Sequence, residues 1–139
     1  MPTIVTEKIF HVSILSILRN GLNRRKTGSV YEDMAADLIV SEGGRILDRN
    51  YRNRMGEIDI VADDAGTICF VEVKYRKNDS KGTPAEAVGI RKQFTICRVA
   101  DHYRMTKRLS EDRPYRFDVI AITGDEIHWY KNAFSYVIL

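Results

Sequence analysis

Cysteine is scarce in this chain: the two present, Cys69 and Cys97, fall in expected core elements and have no CxxC spacing. That excludes a disulfide framework and reads as a pair of buried free thiols in a cytoplasmic protein. His11, His102 and His128 are scattered without ligand spacing, which argues against zinc. Long apolar runs are lacking too. Residues 9–18, IFHVSILSIL, make a stretch about half the ~20 residues that cross a bilayer. Basic residues Arg19, Arg24, Arg25 and Lys26 follow it instead of a small-residue cleavage site, so neither a membrane span nor export is expected. No internal repeat or low-complexity tract interrupts the chain.

What remains is the make-up of a globular protein. A content of 44% hydrophobic and 29% charged residues excludes wholesale disorder, and 139 residues suit one domain with a sizeable core. Residues 1–27 read as an N-terminal extension and 28–139 as the domain. For 9–18 a docked helix, a dimer contact that would make the protein a homodimer, and upstream sequence outside the working domain all stay open. The net charge of +3 is too small to name a partner. Its distribution says more, because Arg49, Arg52 and Arg54, and later Arg91, Lys92, Arg98, Arg104, Lys107 and Arg108, form basic stretches that either solvate a surface or meet a polyanion.

The most informative stretch is 56–74, GEIDIVADDAGTICFVEVK. Apolar runs at 58–62 and 68–73 flank the turn-forming cluster Asp63-Asp64-Ala65-Gly66, the signature of an antiparallel hairpin. Alternation places Glu57 and Asp59 on one face and Ile58 and Ile60 on the other, with Glu72 and Lys74 sharing a face of the second strand. If Asp64 pairs with Thr67, Asp59 lies across from Glu72 and Glu57 across from Lys74. Like charges directly opposite are destabilising on a half-buried strand unless a proton or a cation lies between them. Hard oxygen ligands then point to Mg²⁺ or Mn²⁺, and Lys74 could hold or polarise a water beside the ion. The plainer alternative is a Glu57–Lys74 ion pair with Asp59 and Glu72 facing solvent.

Around this hairpin, Ser29 and Glu32 read as a capping box opening a helix that Gly43-Gly44 ends, with Met34, Leu38 and either Ala35 or Ile39 as its apolar stripe. The capping box is a complete structural explanation of Glu32. A strand follows at 45–51. After the hairpin, 85–88 begin a helix that Gly89 weakens, and 90–108 carry a longer one with Ile90, Phe94, Cys97, Ala100 and Tyr103 along one face. Strands at 116–122 and 127–130 close the chain. A strand, a long helix and a second strand make a crossover whose two strands should be parallel. The expected fold class is α/β, a mixed sheet flanked by helices.

The hairpin residues with the Glu-bearing helix make the pattern D...ExK, which resembles the PD-(D/E)XK nuclease superfamily and its restriction endonuclease-like αβββαβ core. Gly28...Glu32, Asn50-Tyr51-Arg52, Gly56-Glu57-Ile58-Asp59, Phe70-Val71-Glu72-Val73-Lys74, Ala87-Val88, Lys92 and Arg116-Phe117-Asp118-Val119 more closely resemble the YraN-like family, similar in pattern to archaeal Holliday junction resolvases. The resemblance implies a catalytic set of Glu32, Asp59, Glu72 and Lys74. The metal would lie on Asp59, Glu72 and the backbone carbonyl of Val73, and Arg54, Arg91 and Lys92 would meet nucleic acid. The implied activity is metal-dependent hydrolysis of phosphodiester bonds in structured or branched nucleic acid, DNA before RNA. The alternative is a non-catalytic nucleic-acid-binding module that keeps the fold. Tyr31 and Gly44 depart from the family pattern, and Gln93 is followed four residues on by Cys97 where related nucleases carry a tyrosine.

Overall fold

A computed structural model of the chain describes residues 4–11, 27–76, 84–124 and 126–139. Its elements are β1 (Thr6–His11), α1 (Thr27–Ser41), β2 (Arg45–Asn53), β3 (Gly56–Asp64), β4 (Thr67–Arg76), the one-turn α2 (Pro84–Ala87), α3 (Ile90–Thr106), β5 (Tyr115–Thr123) and β6 (Glu126–Phe134). They build a six-stranded sheet in the order β1-β6-β5-β4-β3-β2. Among the described residues only the β4–β5 pair is parallel, as a crossover through α3 requires. The sheet is therefore mixed, and the α/β class read from the sequence holds.

The two long helices, α1 and α3, cover opposite faces. Ala35, Leu38 and Ile39 of α1 close over Ile60, Ala62, Val71, Ile120, Ile122 and Trp129. On the other side Ile96, Cys97, Val99, Ala100 and Tyr103 of α3 close over Phe70, Val119, Phe117 and Phe134. Both cysteines are free and buried, and burial pushes both thiols up, which leaves them inert at neutral pH. Ile90, expected in the α3 stripe, is exposed, and Gln93 takes the buried position by donating Nε2 to the Val88 carbonyl at 2.7 Å.

The hairpin has the expected register. Asp64 pairs with Thr67 and the ladder runs back to Ile60 opposite Val71. Ala65 and Gly66 both take positive φ, +52° and +95°, the conformation of a two-residue type I′ turn whose twist matches its strands. One residue more or less there would have turned every side chain to the wrong face.

Beyond Ile60 the alternation breaks. Ile58 joins the core under α3 while Ile60, two residues on, joins the core under α1, so the two do not share a face as strict alternation demands. Opposite them, Arg49 pairs with Asp33 of α1, and Tyr51 bonds His102 of α3 at 2.7 Å. Between these two sits Asn50, at φ +54°, a conformation that Asn adopts more readily than most residues. The kink at Asn50 and Asp59 rolls the edge of the sheet over.

Two other expectations change. Helix α1 starts at Thr27, two residues before Ser29, so Ser29 is not its N-cap and Glu32 is released from the capping box. Residues 9–11, for which a docked helix is one of three readings, lie in β1, which pairs antiparallel with β6. The exposed edge of β6 offers a ladder that sequence periodicity does not reveal, while 12–18 lie outside the described residues. Among the described residues, neither core cluster contains a residue before Tyr31. Polar contacts hold β1, with Lys8 Nζ 3.1 Å from Glu42 and His128 Nδ1 2.8 Å from Glu7. Exposed pairs of that kind are worth at most about 1 kcal/mol each. Deleting residues 1–20 should therefore leave a single cooperative thermal transition, read by circular dichroism; a chain that no longer folds would place the N-terminal segment in the core.

Among the described residues, no helix is long and apolar enough to cross a membrane.

Candidate functional site

Glu72 is 6% exposed, on the strand face that looks toward α3. Lys74 Nζ, one alternation on, and Lys92 Nζ, from the first turn of α3, each stand 3.7 Å from its Oε1. Its other oxygen, Oε2, is buried with no donor on it, and the Asp59 carboxyl lies within hydrogen-bonding reach of the Glu72 carboxyl, so that a proton or a cation between the two would meet the need. A carboxylate removed from water with half its acceptor capacity unmet is costly. Asp59 reaches the same place from β3. Where the β3–β4 ladder stops, its Oδ2 accepts the backbone N–H of Val73 at 2.8 Å, so the aspartate takes over a bond that the parting strands no longer make.

The electrostatics follow from burial. Glu72 is pushed up to about 7 by burial first and then by the charge of Asp59, against the pull of Lys92 and Lys74. Asp59 is raised by burial, less the effect of the Val73 N–H and Lys92. Glu32 on α1 is raised by burial and by Asp59, and is held by a hydrogen bond with Asn50 and by Arg49. Three carboxyls at one place are shifted toward the neutral form, first by burial and then by neighbouring carboxylates, although Lys74 and Lys92 stand beside Glu72. Two of them converge most closely. Among the described residues, no three His, Cys, Asp or Glu side chains form a group able to enclose an ion by themselves.

The structure thus brings together Asp59, Glu72, Lys74 and Lys92 and keeps Glu32 within electrostatic reach. The plainer ion-pair alternative does not hold: Glu57 accepts from Arg52 Nε at 3.0 Å, and Lys74 turns to Glu72. Arg54 lies in the β2–β3 turn, where it lines an open pocket of about 370 Å³ with Asn53, Met55 and His102. Arg91 is exposed on α3. Gly56, at the end of that turn, is held so close to α3 that a Cβ there would meet Thr95 Cγ2 at 2.5 Å.

Sequence reasoning missed two features beside this cluster. One is Asn50, whose tolerance of positive φ was the available signal. The other is the face-to-face stack of Tyr31 and Tyr75, with ring centroids 4.2 Å apart; these residues adjoin Glu32 and Lys74 in the chain but sit on different elements.

A family model described as "Uncharacterised protein family UPF0102" matches residues 31–122. The chain belongs to the UPF0102 family. This is the YraN-like family that the GEID and FVEVK stretches resemble. A UPF0102 protein of Lachnoclostridium phytofermentans is 48% identical over 82% of this chain and 97% of its own length. One from Fusobacterium nucleatum is 43% identical over 80% and 92%, and one from Vibrio parahaemolyticus 42% over 81% and 95%. The matched UPF0102 span includes Glu32, Asp59, Glu72, Lys74 and Lys92, and leaves β1 and β6 outside it.

Proposed function

We propose that this UPF0102 chain is a divalent-metal-dependent endonuclease that hydrolyses phosphodiester bonds in structured or branched nucleic acid, with DNA as the first candidate. The observation that carries the reading is the buried Glu72 carboxylate, with one oxygen unpartnered and two lysines beside the other. A structural glutamate would be expected to have both oxygens satisfied.

The residues fit a hard cation. Asp59 and Glu72 supply carboxylate oxygens, a backbone carbonyl such as that of Val73 can complete the set with waters, and Glu32 stands behind Asp59; Mg²⁺ and Mn²⁺ favour this donor chemistry. Such an ion would supply Lewis-acid stabilisation of charge developing on the phosphodiester. The chain's own residues do the rest. The Val73 N–H fixes the orientation of Asp59. Lys74 orients and polarises a water next to Glu72, and Lys92 adds positive charge where a phosphate would lie. Burial makes the charges on Glu72 and Asp59 act more strongly than they would in water, while Lys74 and Lys92 keep part of their length in solvent.

Single-turnover assays on a branched junction, a flap and a plain duplex, each with Mg²⁺ and with Mn²⁺, test the proposal. Asp59→Asn should lose cleavage and metal binding together. Lys74→Ala should bind metal as well or better while the chemical step slows by about 10²–10³-fold. Equal residual cleavage in the unsubstituted protein and both variants would mean a contaminating nuclease, and a non-catalytic nucleic-acid-binding module would replace the enzyme.

A further inference from the structure

Resting on the proposed nuclease site, we propose that Tyr31 and Tyr75 form a stacking platform for an unpaired base, so that the site takes strands in which a base next to the scissile phosphate is single-stranded or splayed out. The two rings lie nearly parallel, 11° apart with centroids at 4.2 Å. Tyr75 is 44% exposed, so the stack is not a closed piece of core.

Position links the stack to the chemistry. Tyr75 follows Lys74 on β4 and Tyr31 precedes Glu32 on α1. Along β4 the side chains of Val71 and Val73 belong to the α1 side, and Tyr75 continues that row to Tyr31. Glu72 faces Lys92 of α3 instead. The stack and Glu72 thus occupy opposite faces of β4 beyond the point where the β3–β4 ladder stops, and a strand that reaches both passes over that open end of the sheet. The ring is also fixed in advance: the two tyrosines hydrogen-bond each other, and burial with that contact pushes the Tyr31 phenol up to about 12. A platform already immobilised loses little side-chain entropy when a base arrives.

Every base has a π-face, so stacking tolerates sequence. Inside a duplex those faces are already covered, and the platform therefore selects for unpaired bases, whether in a flap, a bubble or a junction centre.

The test is equilibrium binding by the full-length protein in EDTA at low salt. The probes are oligonucleotides with one 2-aminopurine placed in a single strand, in a bubble or in a plain duplex, each made as DNA and as RNA. Binding should quench the fluorescence of the single strand and the bubble. Tyr75→Ala should remove the quench and weaken that binding by about 5- to 100-fold. Tyr75→Leu, which keeps apolar cover without a π-face, should behave as Tyr75→Ala, Tyr75→Phe should behave as the unsubstituted protein, and duplex binding should be the same in all. A Tyr75-dependent quench with either sugar supports the platform. No Tyr75-dependent quench with either sugar overturns it. A Tyr75-dependent quench in a protein that cleaves nothing would keep the platform and remove the nuclease, whereas cleavage of all substrates unaffected by Tyr75→Leu would keep the nuclease and remove the platform.

Discussion

Asp118→Ala is expected to lower the stability of the fold by about 3–5 kcal/mol, the usual result of removing one partner from a buried ion pair. Asp118 is fully buried on β5. It accepts hydrogen bonds from Arg116 Nε at 2.9 Å, Trp129 Nε1 at 3.0 Å and the backbone N–H of Asn132 at 2.8 Å. Arg116 continues to Asp64 at 2.6 Å, which Lys131 also meets at 2.8 Å, and these two cations hold the Asp64 carboxyl below its ordinary value against the effect of burial. The network ties β5 and β6 to the β3–β4 turn, at the opposite end of the hairpin from the acid pair. Alanine would leave the buried Trp129 Nε1 without its acceptor and take one from Arg116 and from the Asn132 N–H, both part-buried. Urea titration should show a lower midpoint with an unchanged slope. A variant with unaltered stability would mean that the network relaxes into other partners.

Glu72→Gln should move stability the other way in metal-free buffer, by about 1–3 kcal/mol in favour of the variant above pH about 7. The direction comes from the raised carboxyl. The folded state holds its proton up to about 7, and the unfolded state releases it near the ordinary 4.5. The unsubstituted protein is therefore at full stability, as far as Glu72 is concerned, below that ordinary value. It loses stability as pH rises to about 7 and levels off beyond. Glutamine has no proton to release, so the advantage of the variant should vanish in acid. Added Mg²⁺ or Mn²⁺ should raise the melting temperature of the unsubstituted protein by mass action on the folded state, and that of Glu72→Gln very little. Differential scanning calorimetry across pH, with and without metal, reads all three. A glutamine variant less stable than the unsubstituted protein at every pH would show that Glu72 has a structural partner.

Much of this was legible because it depends on short-range rules. The turn at Ala65-Gly66 sets the hairpin register, and the register brings Asp59 to Glu72. Gly89 separates α2 from α3, and the crossover makes β4 and β5 parallel. What escaped depends on tertiary context. The left-handed residue at Asn50 splits Ile58 from Ile60, and one asparagine in the polar strand β2 does not announce that. The strand at Thr6–His11 forms because β6 offers it an edge. Ser29 and Glu32 have capping-box spacing, yet α1 starts earlier and leaves Glu32 turned toward Asp59. The polar strand residue Asp118 carried the same signal as Glu72, a charge within an apolar run, and differs only in having all its partners.

Both the proposed cleavage chemistry and the expected metal-linked stability would rest on an ion between Asp59 and Glu72. The direct measurement is anomalous diffraction from a crystal soaked in Mn²⁺, beside a soaked crystal of Asp59→Asn. A manganese peak in contact with both carboxylates in the unsubstituted protein, and none in the variant, is the expected result. Full Mn²⁺ saturation of the crystal without a peak between Asp59 and Glu72, or an equal peak in the Asp59→Asn crystal, would contradict it.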